Sequence, residues 1–177
     1  GTGRYNGGSG GIQTAAFVTG GSPAPSYTDA TEEYDGTNWT AGGAMLVSKG
    51  YYGGGGTLTA GIVMGMSTGS KSSYEYDGSS WTAGGTMVRG GSQSTYAGLQ
   101  TDGISFGGTP TTLTEGYDGT AWSTRPSMGT ARYALAGKSG TSTSALGCGG
   151  EVTPQTNATE EFTGETTAAN IEKFTTS

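Results

Sequence analysis

The sequence lacks the residue types that most catalytic and metal sites require. It contains no His and a single Cys, Cys148. Without His, the chain has neither the commonest general base nor the commonest metal ligand, and one Cys cannot form an internal disulfide or a multi-Cys zinc site. We therefore predict no catalytic residues, no metal and no cofactor. Cys148 lies in a short stretch of small and apolar residues and is expected to be a small buried core residue.

Large aliphatic residues and charges are also scarce. Leu, Ile, Val and Phe together number 19 of 177 residues, a proportion low enough for disorder to be considered. The net charge is only −6, and Tyr, Trp and Met recur at regular spacing, so we predict an ordered chain. No apolar run is long enough to span a membrane, and the eight Lys and Arg are dispersed along an acidic chain. Neither membrane insertion nor binding to nucleic acid is expected.

What the sequence does contain is abundant glycine and an internal repeat. The 37 Gly cluster at fixed points and do not follow a collagen period. The stretch 33–40 (EYDGTNWT) returns at 75–82, in shorter form at 117–123, and eroded at 161–164. Its Trp residues are 42 and 41 residues apart, a period typical of propellers and solenoids. Since the chain starts partway into the pattern, we expect a processed or partial chain. We predict a single domain, 1–177, of four repeats: 1–45, 46–87, 88–128 and 129–177.

The repeated stretch is predicted to form a hairpin. Asp-Gly between β-forming residues favours a tight turn, here at 35–38, which places Tyr34 and Trp39 opposite each other on two antiparallel strands. Such an aromatic pair contributes about 0.5–1.5 kcal/mol beyond its buried area. We call each pair a clasp. The predicted clasps are Tyr34–Trp39, Tyr76–Trp81 and Tyr117–Trp122.

Each repeat is predicted to contain four short strands and no helix. The segment between the Gly-Gly point and the clasp varies in length and composition from repeat to repeat, at 22–30, 67–73, 109–113 and 151–158. Variation confined to one loop of every repeat is typical of a binding face. The less repeated aromatic residues are candidate ligand contacts, because an exposed Tyr offers rigid, amphipathic contact area. These candidates are Tyr27, Tyr51, Tyr52 and Tyr96.

Charged residues that recur in the repeats have two interpretations. Carboxylates such as Glu75 and Asp77 could bind Ca²⁺ or act as a glycosidase pair. A catalytic pair occurs once per site, whereas these occur once per repeat, so we interpret the Asp as a turn residue and the Glu as a solvated strand residue. The basic residues Arg4, Lys49 and Arg132 lie at equivalent positions. They could bind anionic sugars, but we expect each to pair with a carboxylate of the next repeat.

The order of these features resembles the kelch repeat. A small apolar strand, Gly-Gly, a variable loop, a Tyr, a Trp a few residues on, then Met and a basic residue follow one another over nearly the whole chain, and most clearly in 106–132. The repeats are shorter than the roughly 50 residues usual for kelch, the double Gly is interrupted at 65–66, and the last repeat has no Trp. The resemblance implies an all-β propeller with one four-stranded blade per repeat around a central channel. The four repeats would form either a four-bladed ring or part of a larger one.

The compact form of the repeat is similar to kelch-like repeats in tail-associated proteins of tailed phages and in bacterial surface proteins. This implies a non-enzymatic propeller on a virion or cell surface, with adhesion or receptor binding through the variable loops. Its expected partners are other copies or subunits of the assembly and a cell-surface glycan. The alternatives are a structural module of a phage fibre, capsid or extracellular filament, an accessory domain of an enzyme, and an intracellular kelch adaptor for a peptide. Copper oxidases of the galactose oxidase type, which are also kelch propellers, are excluded because their copper requires His ligands.

Overall fold

The chain forms an all-β structure of short antiparallel strands. The computed structural model describes residues 2–23, 25–66, 69–108, 111–152 and 156–164. Within these ranges there are fifteen strands in four separate sheets and no helix. The all-β prediction is confirmed.

Every sheet consists of strands that are consecutive in sequence and paired in that order. Sheet I contains β1 (Gly8–Ile12), β2 (Ala15–Thr19), β3 (Thr31–Tyr34) and β4 (Trp39–Ala41). Sheet II contains β5 (Gly53–Thr57), β6 (Ala60–Met64), β7 (Ser73–Tyr76) and β8 (Trp81–Ala83). Sheet III contains β9 (Thr95–Leu99), β10 (Asp102–Phe106), β11 (Thr114–Tyr117) and β12 (Trp122–Arg125). Sheet IV contains β13 (Ala136–Thr141), β14 (Ser144–Cys148) and β15 (Thr159–Thr163).

Each sheet falls inside one of the four sequence repeats. The predicted four strands are present in sheets I, II and III, and three are present in the described part of sheet IV. The end of the fourth repeat, 165–177, lies outside the described residues. The sequence period therefore corresponds to one sheet.

The sheets contact one another through their first strands. β1 packs against β5, β5 against β9, and β9 against β13. Glycine makes this approach possible, because an ideal Cβ on Gly8 would lie 2.6 Å from Cγ1 of Val63, and one on Gly55 would lie 2.5 Å from the Tyr96 ring. The glycine clusters thus reflect close approach of neighbouring sheets.

Side chains alternate between the two faces of each sheet. We call the face toward the preceding sheet the front face and the other the back face. The apolar cluster between sheets I and II includes Phe17, Met45, Val63, Tyr76 and Trp81. The cluster between sheets II and III is Ile62, Met64, Met87, Tyr96, Tyr117 and Trp122. The cluster between sheets III and IV is Ala97, Ile104, Phe106, Met128, Leu135, Ala145 and Phe162.

Because the strands of each sheet are antiparallel, their connections lie at two opposite ends of the molecule. The hairpins β1–β2 and β3–β4 and their equivalents lie at one end, which we call the hairpin end. The variable β2–β3 loops and the connections between sheets lie at the other, the loop end. No segment of the described chain forms a helix long and apolar enough to cross a bilayer.

Candidate functional site at the loop end

Backbone hydrogen bonds link the four sheets in series at the loop end. The N–H of Tyr51 donates to the carbonyl of Asn6 at 2.7 Å, that of Gln93 to Tyr51 at 3.0 Å, and that of Ala134 to Gln93 at 3.1 Å. These four equivalent residues all have positive φ, between 52° and 65°. For a bulky residue this conformation is unfavourable, so its repetition shows that the surroundings impose it. The series of bonds holds the Tyr51 backbone in place.

A group of tyrosines lies beside Tyr51. The rings of Tyr27 and Tyr51 meet edge to face, with their centroids 6.4 Å apart. Tyr27 is 43% exposed and Tyr5 57% exposed. The Tyr27 ring covers Gly50, where an ideal Cβ would lie 2.9 Å from Cε1. Partial loss of water, together with the neighbouring Tyr51 and Tyr5, raises the pKa of Tyr27. We call Tyr5, Tyr27 and Tyr51 the tyrosine patch.

The structure separates the four tyrosines that the sequence proposed as ligand contacts. Tyr27 and Tyr51 lie at the surface, whereas Tyr52 is 7% exposed and Tyr96 fully buried. Burial raises the pKa of both Tyr52 and Tyr96, and the Tyr96 hydroxyl donates to the carbonyl of Leu99 at 2.7 Å. The expectation that Tyr52 and Tyr96 offer exposed contact area is therefore wrong, and both belong to the packing between sheets.

Tyr5 joins the patch although the sequence did not single it out. It lies directly before positive-φ Asn6, and Tyr133 precedes Ala134 in the same way. The backbone of Tyr5 pairs with Ser22 at the start of the first variable loop. The Arg-Tyr dipeptide that recurs in the first and fourth repeats is the sequence feature that could have drawn attention to Tyr5.

Two of the recurring basic residues fix the variable loop of their own sheet. Arg4 donates to two backbone carbonyls that flank its β2–β3 loop, and its guanidinium lies 2.9 Å from the carboxylate of Glu32. Arg132 makes the equivalent bonds in sheet IV and lies 2.7 Å from Glu160. The expected pairing with the next repeat is wrong, because each partner lies in the same sheet as its Arg.

Sheets II and III depart from this arrangement. Sheet II carries Tyr74 where the other sheets carry the Glu, and Lys49 is exposed. In sheet III the ion pair persists through a different residue, because Nε of Arg89 lies 3.3 Å from Glu115. The Arg89 side chain fills the space that a side chain at Gly91 would occupy. Its three guanidinium nitrogens make no hydrogen bond within the described part of the chain.

The three clasps have the predicted geometry. In each, the Tyr and Trp are directly paired residues on adjacent strands. Their ring centroids are 5.1 Å apart for Tyr34–Trp39, 4.7 Å for Tyr76–Trp81 and 4.8 Å for Tyr117–Trp122. The clasp prediction is confirmed as a cross-strand contact.

The Asp of each clasp turn acts as a turn residue, as predicted. Oδ1 of Asp77 accepts from the backbone N–H groups of Ser79 and Ser80 at 2.8 and 2.7 Å. These backbone bonds, and those from the two Ser hydroxyls, lower the pKa of Asp77 to about 2. Asp35 and Asp118 make the same backbone bonds and their pKa values are lowered for the same reason.

The Glu of the repeat has a role that the sequence did not reveal. The Tyr76 hydroxyl donates to the carboxylate of Glu33 on the preceding sheet, and Nε1 of Trp81 donates to Oγ1 of Thr31 at 2.9 Å. Loss of water and the bond to Glu33 raise the pKa of Tyr76 to about 12. The interpretation of this Glu as a solvated strand residue is therefore wrong.

The same bonds recur between sheets II and III. The Tyr117 hydroxyl donates to Glu75, and Nε1 of Trp122 donates to Oγ of Ser73 at 3.2 Å. Loss of water and the bond to Glu75 raise the pKa of Tyr117 to about 12. Each of these clasps thus fastens its sheet to the back face of the sheet before it.

Cys148 is not the fully buried residue that its sequence context predicted. It is partly exposed, and its S–H donates to the carbonyl of Ala136 at 2.9 Å. The equivalent residues Thr19, Met64 and Phe106 are all buried. Cys148 differs because it lies on the back face of sheet IV, which no fifth sheet covers among the described residues.

A cavity of about 340 Å³ lies at the hairpin end. Its lining includes one positive-φ glycine from the first hairpin of each sheet: Gly11, Gly56, Gly98 and Gly140. Trp39 contributes an indole, but the lining contains no carboxylate and no basic side chain. The described residues contain no group of three or more Cys, Asp or Glu that could hold a metal ion. This cavity offers backbone and apolar contacts and no acid or base.

Comparison with known protein families finds no matching family model, and comparison with curated proteins finds no significant match.

Proposed function

We propose that the chain is a non-enzymatic, kelch-like β-propeller module of a virion or cell-surface assembly, and that it binds a cell-surface glycan at the loop end. The sheets are its blades, with the first strand of each nearest the axis. Support for this arrangement comes from the contacts of β1 with β5, β5 with β9 and β9 with β13, and from the agreement between sheet and repeat.

The tyrosine patch is the observation that carries the binding proposal. A sugar ring has apolar C–H faces and hydroxyl edges, and a Tyr offers an aromatic face and a hydroxyl within one rigid side chain. Tyr27 comes from the variable loop of sheet I and Tyr51 from the segment just before β5 of sheet II, so the patch bridges two repeats. It contains no charged side chain, which suits a neutral glycan.

Contacts of this kind are weak singly. An assembly that carries many copies of the chain engages several glycans at once, and avidity then exceeds the affinity of one site by orders of magnitude. We therefore expect binding to be detectable when the chain is displayed on a particle, even where the free chain shows little.

The test is a glycan array probed with the chain coupled to beads at high density. Tyr27→Ala removes the exposed ring, and Tyr51→Asn removes the second ring while keeping a residue type that Asn6 shows to be compatible with this backbone. Both variants should lose most of the array signal. Leu99→Ala, which removes an exposed apolar side chain at the hairpin end, should retain it. An array without signal for the displayed parent chain, or equal signal from all variants, would contradict the proposal.

A structural module of a fibre, capsid or extracellular filament is the second candidate. It is favoured by Trp39, which is 48% exposed on the outermost face of sheet I, although its equivalents are buried. An exposed indole at a position built for packing suits a chain that is one part of a larger stack. On this alternative, Tyr27→Ala leaves attachment of the assembly to cells unchanged.

A further inference from the structure

Among the described residues, nothing covers the front face of sheet I as the other front faces are covered. Trp39 is 48% exposed, against 4% for Trp81 and 7% for Trp122. Tyr34 is partly exposed, whereas Tyr76 is fully buried. Within the described chain, neither the Tyr34 hydroxyl nor the Trp39 indole makes the bond to a neighbouring sheet that its equivalents make.

The described part of the chain likewise leaves the back face of sheet IV uncovered. Leu146 is partly exposed, although its equivalents on the other back faces are fully or almost fully buried: Phe17, Ile62 and Ile104. Thr159 and Glu161 are exposed. Cys148 on this face is also partly exposed. The two outer faces of the stack therefore present residue types that are buried elsewhere.

These two faces carry matching halves of the bonds between sheets. Glu161 occupies the position of Glu33 and Glu75, which accept from a Tyr. Thr159 occupies the position of Thr31 and Ser73, which accept from a Trp. Sheet I carries both donors, Tyr34 and Trp39, and sheet IV carries both acceptors.

The interface between sheets III and IV shows that donor and acceptor change together. Its acceptor position holds Gly116 in place of Glu, and its donor position holds Phe162 in place of Tyr. Here the Tyr–Glu bond is absent and both of its partners are absent, whereas Thr114 still holds the acceptor position of the Trp bond although the last repeat has no Trp. Glu161 and Tyr34 are both present, although neither has a hydrogen-bond partner in a neighbouring sheet of the described chain. This indicates that they pair with each other.

We propose that the back face of sheet IV docks on the front face of sheet I of a second copy of this chain. The Tyr34 hydroxyl then donates to Glu161, and Nε1 of Trp39 donates to Oγ1 of Thr159. We assign the partner as a second copy because the two faces are complementary and do not meet within the described part of one chain, as the exposure of Trp39 and Glu161 shows. The contact is head to tail, so the association forms a ring when the rotation closes and a filament otherwise. It does not depend on glycan binding.

The test combines mass and fluorescence over a dilution series of the chain. Above the dissociation constant we expect a mass of at least twice 17.6 kDa, with Trp39 shielded from acrylamide. Because Trp81 and Trp122 are buried, the quenchable emission reports Trp39, and it should rise as dilution lowers the mass. Glu161→Arg changes an exposed residue, so it should leave folding intact and weaken association about tenfold or more, as expected when a charged hydrogen bond is lost.

Asp102→Arg is the matched control, because it makes the same charge change at an exposed position of sheet III away from both outer faces. It should associate like the parent chain, while Trp39→Ala should impair association as Glu161→Arg does. A monomeric mass at all concentrations would overturn the proposal. This holds if acrylamide quenches Trp39 at every concentration, and also if Trp39 is shielded by a contact within its own chain. Association that Glu161→Arg leaves unchanged would also overturn it.

Discussion

Sheets II and IV are stabilised by different groups. Between sheets I and II, the Tyr76–Trp81 clasp makes two hydrogen bonds to the preceding sheet, and Tyr74 stands where other sheets carry a paired Glu. Between sheets III and IV there is no clasp, but Arg132 is fully buried and pairs with Glu160. In the part of the chain that the structure describes, sheet II has the clasp to its neighbour without an internal ion pair, and sheet IV has the internal ion pair without the clasp.

This difference shows that the repeat specifies a geometry rather than one fixed set of bonds. Sheet III has both, a clasp to sheet II through Tyr117 and Trp122 and an internal ion pair of Arg89 with Glu115. The fourth repeat therefore has one of these two supports. Each of the three interfaces also contains an apolar cluster. The one between sheets III and IV includes Ile104 and Phe162.

The largest expected effect is at the clasp between sheets I and II. Trp81→Ala should destabilise the chain by about 3–5 kcal/mol, because it leaves a cavity in a well-packed core and removes the donor to Thr31. Trp39→Ala is the matched control, since its side chain is half exposed. It should cost about 1 kcal/mol or less, mainly the ring contact with Tyr34. Urea unfolding at a concentration where the chain is monomeric measures both, and equal losses would show that the clasps do not act between sheets.

The next-largest loss of stability is expected at the ion pair of sheet IV. Arg132→Met should cost about 3 kcal/mol, because a buried Glu160 loses its charged partner and two backbone carbonyls lose their donor. Arg89→Met should cost less, since Glu115 keeps two backbone N–H groups, those of Val88 and residue 89 at 2.9 Å, whereas Glu160 keeps one, that of Gly129 at 2.6 Å. Urea unfolding again gives the comparison. If Arg89→Met lowered the free energy of unfolding more than Arg132→Met, the hydrogen bonds from Arg132 to the loop carbonyls would not contribute to stability as expected.

Local features of the molecule could be predicted from the sequence, whereas features that depend on a neighbouring sheet could not. The clasp Tyr34–Trp39 and the turn between its residues follow from eight consecutive residues. The burial of Tyr96 depends on Gly55 of the preceding sheet and on Gly103 of the paired strand, both of which leave room for its ring. Sequence spacing alone does not show which glycine faces which ring.

The same limit applies to the candidate site. Tyr27 and Tyr51 were found because they depart from the repeat. Tyr5 was missed because its Arg-Tyr dipeptide recurs in the fourth repeat, and its exposure is not visible in the sequence. The acceptor role of Glu33 was missed because its donor, Tyr76, lies one repeat away in the sequence.

The smallest expected effect comes from giving the last interface the bond that it lacks. Gly116→Glu with Phe162→Tyr places a carboxylate opposite a phenol, as between sheets II and III. Gly116 does not require positive φ, and the three atoms nearest to an ideal Cβ there all belong to the flexible side chain of Arg125, with Nε at 2.4 Å. We expect each single variant to be neutral or slightly destabilising and the pair to be coupled by about 1 kcal/mol in a double-mutant cycle. The cycle is measured by urea unfolding. Independent effects of the two substitutions would show that the equivalent bonds of Tyr76 and Tyr117 owe their value to the neighbouring Trp, since that is the residue the fourth repeat still lacks.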